Sequence, residues 1–485
     1  MPDVLLLNPP LSTKQRYDAF SGIANVTPPL GLCSLASSLR IRGHRVSILD
    51  AAAREMGLEA CVKTILETSP THVGITTATA SIHPAAQVAR RLKELSPGIT
   101  IIVGGPHLSA LPEQTMAMFP QFDFGVAGEG EITAVELLEA LERRAGLEAT
   151  QGVVYRNDGS VRATGPRQPL DDLDRLPMPA WDLLPNLTTH YSPTLNAYKR
   201  WPSTSLVTSR GCPNQCIYCG SFVFGNRYRS HSASYVIRMM LHLKTHYGIR
   251  DIYFHDDTFM VDKARLEELC MSMRQNAVDM TWACFGRVAD VRQSDLPLLR
   301  RMKEAGCWQI SFGVESGSDA ILKILKKGIT TARVREAVSV AKRAGISVNG
   351  FFILGSPGET AETIEETLRL IKTGDFDTVQ TSYFTPFPGT EAYRRAHLYG
   401  ELREDWNRFT TWHPVFIPKG LTEEDLTSAS RRALIGFYTN PRHVLRLAFK
   451  SANTRHFLQL LKAARILGTL AGSRKARAAH AGPVP

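Results

Sequence analysis

The sequence has no run of about 18 or more apolar residues, which excludes an ordinary membrane-spanning helix. Its opening, MPDVLLLNPP, places no basic residue ahead of the apolar ones, so it reads as a first strand rather than a secretory signal. Cysteine is scarce: eight in 485 residues do not make a disulfide scaffold, which fits a reducing compartment. No G-x-G-x-x-G follows the first apolar run, so the dinucleotide fingerprint is missing. One region lacks acid altogether. From Pro441 to Pro485 stand nine Lys or Arg and no Asp or Glu, so the net charge of +11 leaves the rest of the chain nearly neutral (11 − 9 = +2).

What is present starts with TSRGCPNQCIYCGS, residues 208–221. Cys212, Cys216 and Cys219 stand at C-x3-C-x2-C, and no second C-x2-C pair lies beside them to close a four-ligand zinc site. The ferredoxin run C-x2-C-x2-C is absent as well. An odd set of crowded thiols is poor material for disulfides or packing. Three thiolates on a [4Fe–4S] cluster would leave one iron open, as a catalytic metal needs. With Tyr218 ahead of the last cysteine, the motif resembles the signature of radical S-adenosylmethionine enzymes. The resemblance implies that the open iron chelates S-adenosylmethionine, and that one electron then cleaves it to a 5′-deoxyadenosyl radical.

Residues 1–150 alternate short apolar runs (DVLLLN, RVSILDA, HVGITTA, ITIIVGG, FDFGVAG) with helical segments, the pattern of a parallel doubly wound sheet. Such sheets bind ligands outside the carboxyl ends of their strands. The strand-end candidates are Asn8 and Pro10, Thr76, Gly104 with Gly105 and His107, and Gly128 with Glu129. The glycines among them suit close approach of a large ligand to the backbone. PPLGLCSLASSLRIRGHRVSILDA, VGGPHLSALPE and FDFGVAGEGE resemble the cobalamin-binding domain joined to a large class of these enzymes. The D-x-H-x-x-G frame that supplies a cobalt-binding histidine is absent, so the resemblance implies methylcobalamin with no lower-face histidine from that motif.

Residues 151–200, punctuated by Pro and Asp, read as a linker in which Trp181 is a packing anchor. Residues 201–395 repeat strand then helix six times, with strands expected at STSLVTS, DIYFHDD, TWACFG, WQISFGVES, VNGFFILG and VQTSYFTPF. Val236, Met239, Met240 and Leu243 share one helical face, as do Val334, Ala337, Val338 and Ala341, in a helix begun by Thr331 and stopped by Gly345. The expected fold is thus α/β: a Rossmann-like cobalamin domain, a partial (β/α)6 barrel, and a helical C-terminal region, 396–485, with a basic tail.

Barrels of this kind carry their chemistry at the carboxyl ends of the strands, which is where the three cysteines fall. Asp256 reads either as a polar structural network or as a contact to S-adenosylmethionine. The resemblance assigns Glu315, after Gly313, to that cofactor. Arg287 pairs either with its carboxylate or with Glu315 or Asp256. Gly355 opens a turn near it, in which Gly358 serves backbone geometry and Thr360 caps a helix. The other cysteines read as small buried hydrophobes, with a lumen-facing side chain left open for Cys284.

The resemblance implies an enzyme that methylates an unactivated carbon of a natural-product, lipid or tetrapyrrole substrate. An oxidative cyclisation or rearrangement with the same cofactors stays open, because no motif separates the two. A methylthiotransferase needs a second cluster, and the first 150 residues offer only Cys33 and Cys61. A corrinoid sensor without catalysis is the remaining alternative. The implied partners are a small-molecule or lipid substrate and a flavodoxin- or ferredoxin-type electron donor, without nucleic acid. The expected location is cytoplasmic, with two readings of the tail: a packed helical pair, or an amphipathic helix on the inner face of a membrane.

Overall fold

The computed structural model describes residues 3–18, 21, 26–191, 193–194, 197–220 and 223–441. Apart from Pro441, the basic tail lies outside these residues.

The first sheet is built from the expected apolar runs. β1 (Asp3–Asn8), β2 (Arg45–Asp50), β3 (His72–Thr76), β4 (Thr100–Gly104) and β5 (Phe124–Val126) pair in parallel in the order 2-1-3-4-5. Their residues are apolar on both faces because helices cover both. Leu5 and Leu7 pack with Cys61, Val62 and Ile65 on one side. Val4 and Leu6 pack with Leu32, Ala36 and Leu39 on the other. The strand order reverses between β1 and β3, and a crevice at such a switch point is the usual ligand position of this architecture.

The expected boundary at residue 150 is corrected. β6 (Val153–Asn157) and β7 (Ser160–Ala163) continue the first sheet as an antiparallel edge, so the domain runs on into the stretch read as linker and the sheet is mixed. The intervening Asp158 and Gly159 both take positive φ, as a two-residue hairpin turn requires. The connection beyond has short 3-10 turns at Leu173–Arg175 and Trp181–Leu183, and Trp181 is buried as expected. Tyr191 ties it back by donating to Asp50 Oδ2 at 2.9 Å. Asp50, fully buried, also accepts from Asn8 Nδ2 at 2.8 Å and Ala53 N at 3.0 Å.

All six barrel strands form: β8 (Ser203–Leu206), and, after a small antiparallel pair made by β9 (Ser209–Arg210) and β10 (Arg229–Ser230), β11 (Asp251–Phe254), β12 (Thr281–Arg287), β13 (Cys307–Glu315), β14 (Ser347–Leu354) and β15 (Thr378–Tyr383). They lie side by side in parallel as an open half-barrel. Val236, Met239, Met240 and Leu243 are buried on the helix Ala233–Tyr247. In the helix Thr331–Arg343 the cap is Thr330, one residue earlier than expected, because its side chain accepts from Arg333 N.

The C-terminal region is not wholly helical. β16 (Gly400–Leu402) and β17 (Phe416–Pro418) form an antiparallel pair ahead of the helix Glu423–Tyr438. Between them, Trp406, Phe409 and Val415 enter the core of the first sheet. No helix among the described residues is long and apolar enough to cross a membrane.

Replacing Tyr191 by Phe removes one donor from buried Asp50, at a cost of about 1–3 kcal/mol. Scanning calorimetry is expected to show a lower melting temperature for Tyr191→Phe than for the wild type; equal values would show that this tie does not stabilise the fold.

Candidate active site

The cysteine loop leaves β9 and returns on β10. Its ends touch: Gly211 has φ +82°, and a Cβ there would lie 2.2 Å from Arg227 O. Gly211 N donates to Asp257 Oδ2 at 3.3 Å. Mid-loop, Ile217 N donates to Leu325 O at 3.2 Å and Ile217 O accepts from Ala392 N at 2.9 Å. The backbone is thus pinned to the barrel rim while the thiols stay free: Cys212 and Cys216 are half-buried and Cys219 is exposed. Metal binding at these thiols has to displace their protons.

Among the described residues no set of three or more His, Cys, Asp and Glu side chains is already gathered around one point. The fit to an iron–sulfur cluster rests instead on the donor set. Three soft thiols share one loop, none is spent in a disulfide, and no fourth cysteine lies on the loop. The other five cysteines are buried. Cys284 is in the helix-facing core with Cys270 and Cys307, not in the lumen.

Glu315 ends β13 with φ +71°, a backbone region that costs a non-glycine residue about 1–3 kcal/mol. Pairing with β14 shifts register between Gly313 and Glu315. The turn folds the carboxylate back over Gly313, where a Cβ would meet Glu315 Oε1 at 2.5 Å. Lys327 Nζ lies 2.5 Å and Tyr218 OH 3.1 Å from that oxygen, and 3.2 Å from each other. Burial, then the Glu315 charge, raises the Tyr218 phenol well above its ordinary value. Lys327 was not singled out from the sequence. KILKKG offers three lysines, and only the packing of Leu325 and Ile329 selects the one that turns inward.

Two barrel readings left open by the sequence are narrowed. Asp256 accepts from Thr208 N (2.7 Å), Thr208 Oγ1 (2.7 Å) and Ser209 Oγ (2.6 Å), so it is the structural network that ties β11 to β9. Burial raises its carboxyl, against the opposing charge of Arg265. Arg287 pairs with neither Glu315 nor Asp256; it donates to Lys327 O at 3.2 Å. The Gly355 amide is taken by Glu359, whose buried carboxyl is raised to about 7. Thr360 caps the following helix as expected.

On the first sheet, Asn8, Pro10, Thr76, Gly104 and Gly128 fall at one carboxyl edge. Gly128 has open space where a Cβ would sit, so a ligand can reach its backbone. Gly105 does not serve that purpose: a Cβ there would lie 2.8 Å from Thr77 N and O, so it allows two strand ends to cross. His107 is 1% exposed, with Nδ1 3.2 Å from Thr79 Oγ1 and its ring 4.7 Å from that of Trp406. Burial lowers it to about 4, and Trp406 covers it, so it does not line the open edge. Glu129 turns its carboxylate away to Arg210, at 3.1 Å, and to Arg229 of the barrel.

A model of the radical SAM superfamily matches residues 206–371, and one of the B12 binding domain matches residues 20–138. An uncharacterized methyltransferase of Pyrococcus horikoshii is 36% identical over 452 residues, 92% of this chain and 95% of that one. The anaerobic magnesium-protoporphyrin IX monomethyl ester cyclase of Rubrivivax gelatinosus is 27% identical over 413 residues, 83% of this chain and 72% of its own. The solved structure of the cobalamin-dependent S-adenosylmethionine radical enzyme OxsB shares the fold, with a TM-score of 0.75 at 18% identity over 96% of this chain and 71% of that one. The chain therefore belongs to the B12-binding radical S-adenosylmethionine enzymes, which work with a [4Fe–4S] cluster, S-adenosylmethionine and cobalamin.

Proposed function

We propose that the protein transfers a methyl group to an unactivated carbon of an organic substrate. The observation that carries this reading is the meeting of two carboxyl edges: the cysteine hairpin of the barrel abuts the turn after β5 of the first sheet. When bound, the cluster and S-adenosylmethionine supply a 5′-deoxyadenosyl radical, and the corrinoid supplies the methyl group. Cys212, Cys216 and Cys219 hold the cluster. Lys327 and Tyr218, poised on Glu315, offer one cation, one carboxylate and one hydroxyl, a set suited to the carboxylate, ammonium and ribose hydroxyls of S-adenosylmethionine. Asn8, Pro10, Thr76, Gly104 and Gly128 form the edge against which the corrinoid lies.

The lumen below the charged group is neutral. Phe285 touches both His255 and Phe351, with ring centroids 5.4 Å and 5.8 Å away. Burial holds His255 near 4, so it is an uncharged imidazole at neutral pH. This wall suits an uncharged, apolar or flat part of a lipid, tetrapyrrole or other natural product. A low-potential electron donor of the flavodoxin or ferredoxin type completes the cycle. Cyclisation remains the second reading, because the cyclase of Rubrivivax gelatinosus is similar over most of its length.

Replacing all three loop cysteines by Ala is expected to drop bound iron from about four per chain to near none and to abolish 5′-deoxyadenosine formation. Corrinoid retention should persist; loss of corrinoid as well would place the defect in folding. Lys327→Met is expected to weaken S-adenosylmethionine binding by about tenfold or more, equivalent to about 1.4 kcal/mol, with iron content unchanged. Equal affinity in equilibrium dialysis would remove Lys327 from that site. With trideuteromethyl S-adenosylmethionine, a substrate found by screening cell extracts is expected to gain a trideuteromethyl group in its mass spectrum. Loss of hydrogens without that gain would decide for cyclisation.

A further inference from the structure

Four charged side chains meet at the seam between the two sheets, almost out of reach of water. Glu129 and Glu131 come from the turn and helix that follow β5. Arg210 ends β9, two residues ahead of Cys212, and Arg229 begins β10, on which the chain returns from the cysteine loop. Their side chains are 2–11% exposed.

The partners are nearly complete. Arg210 reaches Glu129 Oε2 at 3.1 Å and binds Glu131 with both terminal nitrogens. Arg229 takes the other oxygen of Glu129, and its remaining terminal nitrogen donates to Leu170 O at 2.7 Å. Ser34 donates to Glu131 Oε1 at 2.7 Å. Two negative and two positive charges balance, and Arg229 Nε is buried without a partner among the described residues.

A buried network of this kind adds little net stability over an apolar seam, yet leaving one member unpaired is costly. It therefore admits one placement of its parts. Here it fixes both ends of the cysteine loop, through Arg210 at the entry and Arg229 at the exit. The acids that hold them sit in the turn whose Gly128 backbone is open to the corrinoid edge. We propose that Glu129, Glu131, Arg210 and Arg229 are positioning residues that set the separation between the corrinoid on the first sheet and the cluster on the barrel. This inference rests on the cofactor placement proposed above.

The test uses full-length protein reconstituted with iron, sulfide and hydroxocobalamin and reduced until cobalt and cluster are both paramagnetic. Pulsed electron paramagnetic resonance then reads their dipolar coupling. The wild type should give one narrow distance. Glu129→Gln keeps the shape but removes the charge shared by both arginines, and should retain iron and corrinoid while the distance shifts or broadens. A lower melting temperature with an unchanged distance would overturn the proposal, since the network would then only stabilise. Failure of the wild type to bind both cofactors would overturn the cofactor placement, and this inference with it. If the variant does not load, deuterium exchange of the cofactor-free chains decides. Amides flanking the three cysteines should exchange about tenfold faster in Glu129→Gln than in the wild type. Equal exchange would refute the clamp.

Discussion

Parallel pairing is the constraint from which the site follows. In a parallel sheet every strand delivers its carboxyl end to the same edge, and the helical return runs over a face. The first sheet obeys this from β1 to β5, and the half-barrel in β8 and β11 to β15. Two such edges brought together make a cleft whose walls are loops and whose floor is rigid strand. Loops there can carry glycines, prolines and unusual backbone at little risk to the core. The bulge at Glu315 is one example: its positive φ sits at the end of a nine-residue strand that cannot follow it.

Charge is distributed by burial in a matching way. The lumen wall of His255, Phe285 and Phe351 carries no formal charge. Glu315 and Lys327 pair directly with Tyr218 beside both, and Asp256 is satisfied by three donors. Each buried carboxylate has company because a bare one would be far more costly than any helix or strand could offset. The tyrosine reaches Glu315 from 97 residues earlier in the chain, so this small group also knits the cysteine loop to the strand.

Much of this was legible in the sequence. The six barrel strands and the five parallel strands of the first sheet were visible as apolar runs, because strands covered on both faces need little else. The buried faces at Met239 and Val338 followed from helical spacing. The cysteine loop was legible because three thiols at such spacing have few other uses. What the sequence concealed was partnership. Glu129 stands in a glycine-rich turn and looked like a ligand contact; its arginine partners are some eighty and a hundred residues away in the chain. Lys327 hid among lysines. Asp256 stood equally for a contact or a network, and only three-dimensional neighbours decide between those. The β6–β7 hairpin was missed although Asp158-Gly159 between alternating residues is a strong turn signal; a linker reading from the prolines further on overrode it.

One feature of the chain's path bears on how the protein is made. Trp406, Phe409 and Val415 complete the hydrophobic interior of a sheet whose last strand ends at Ala163. On a ribosome adding about 5–20 residues per second, the first sheet waits on the order of tens of seconds for those side chains to be synthesised. Until then His83, His107 and the turn Thr79–Ser81 lack part of their cover. The nascent chain therefore passes through a long interval with an unfinished apolar face, the kind of surface chaperones bind, while the barrel is still being translated.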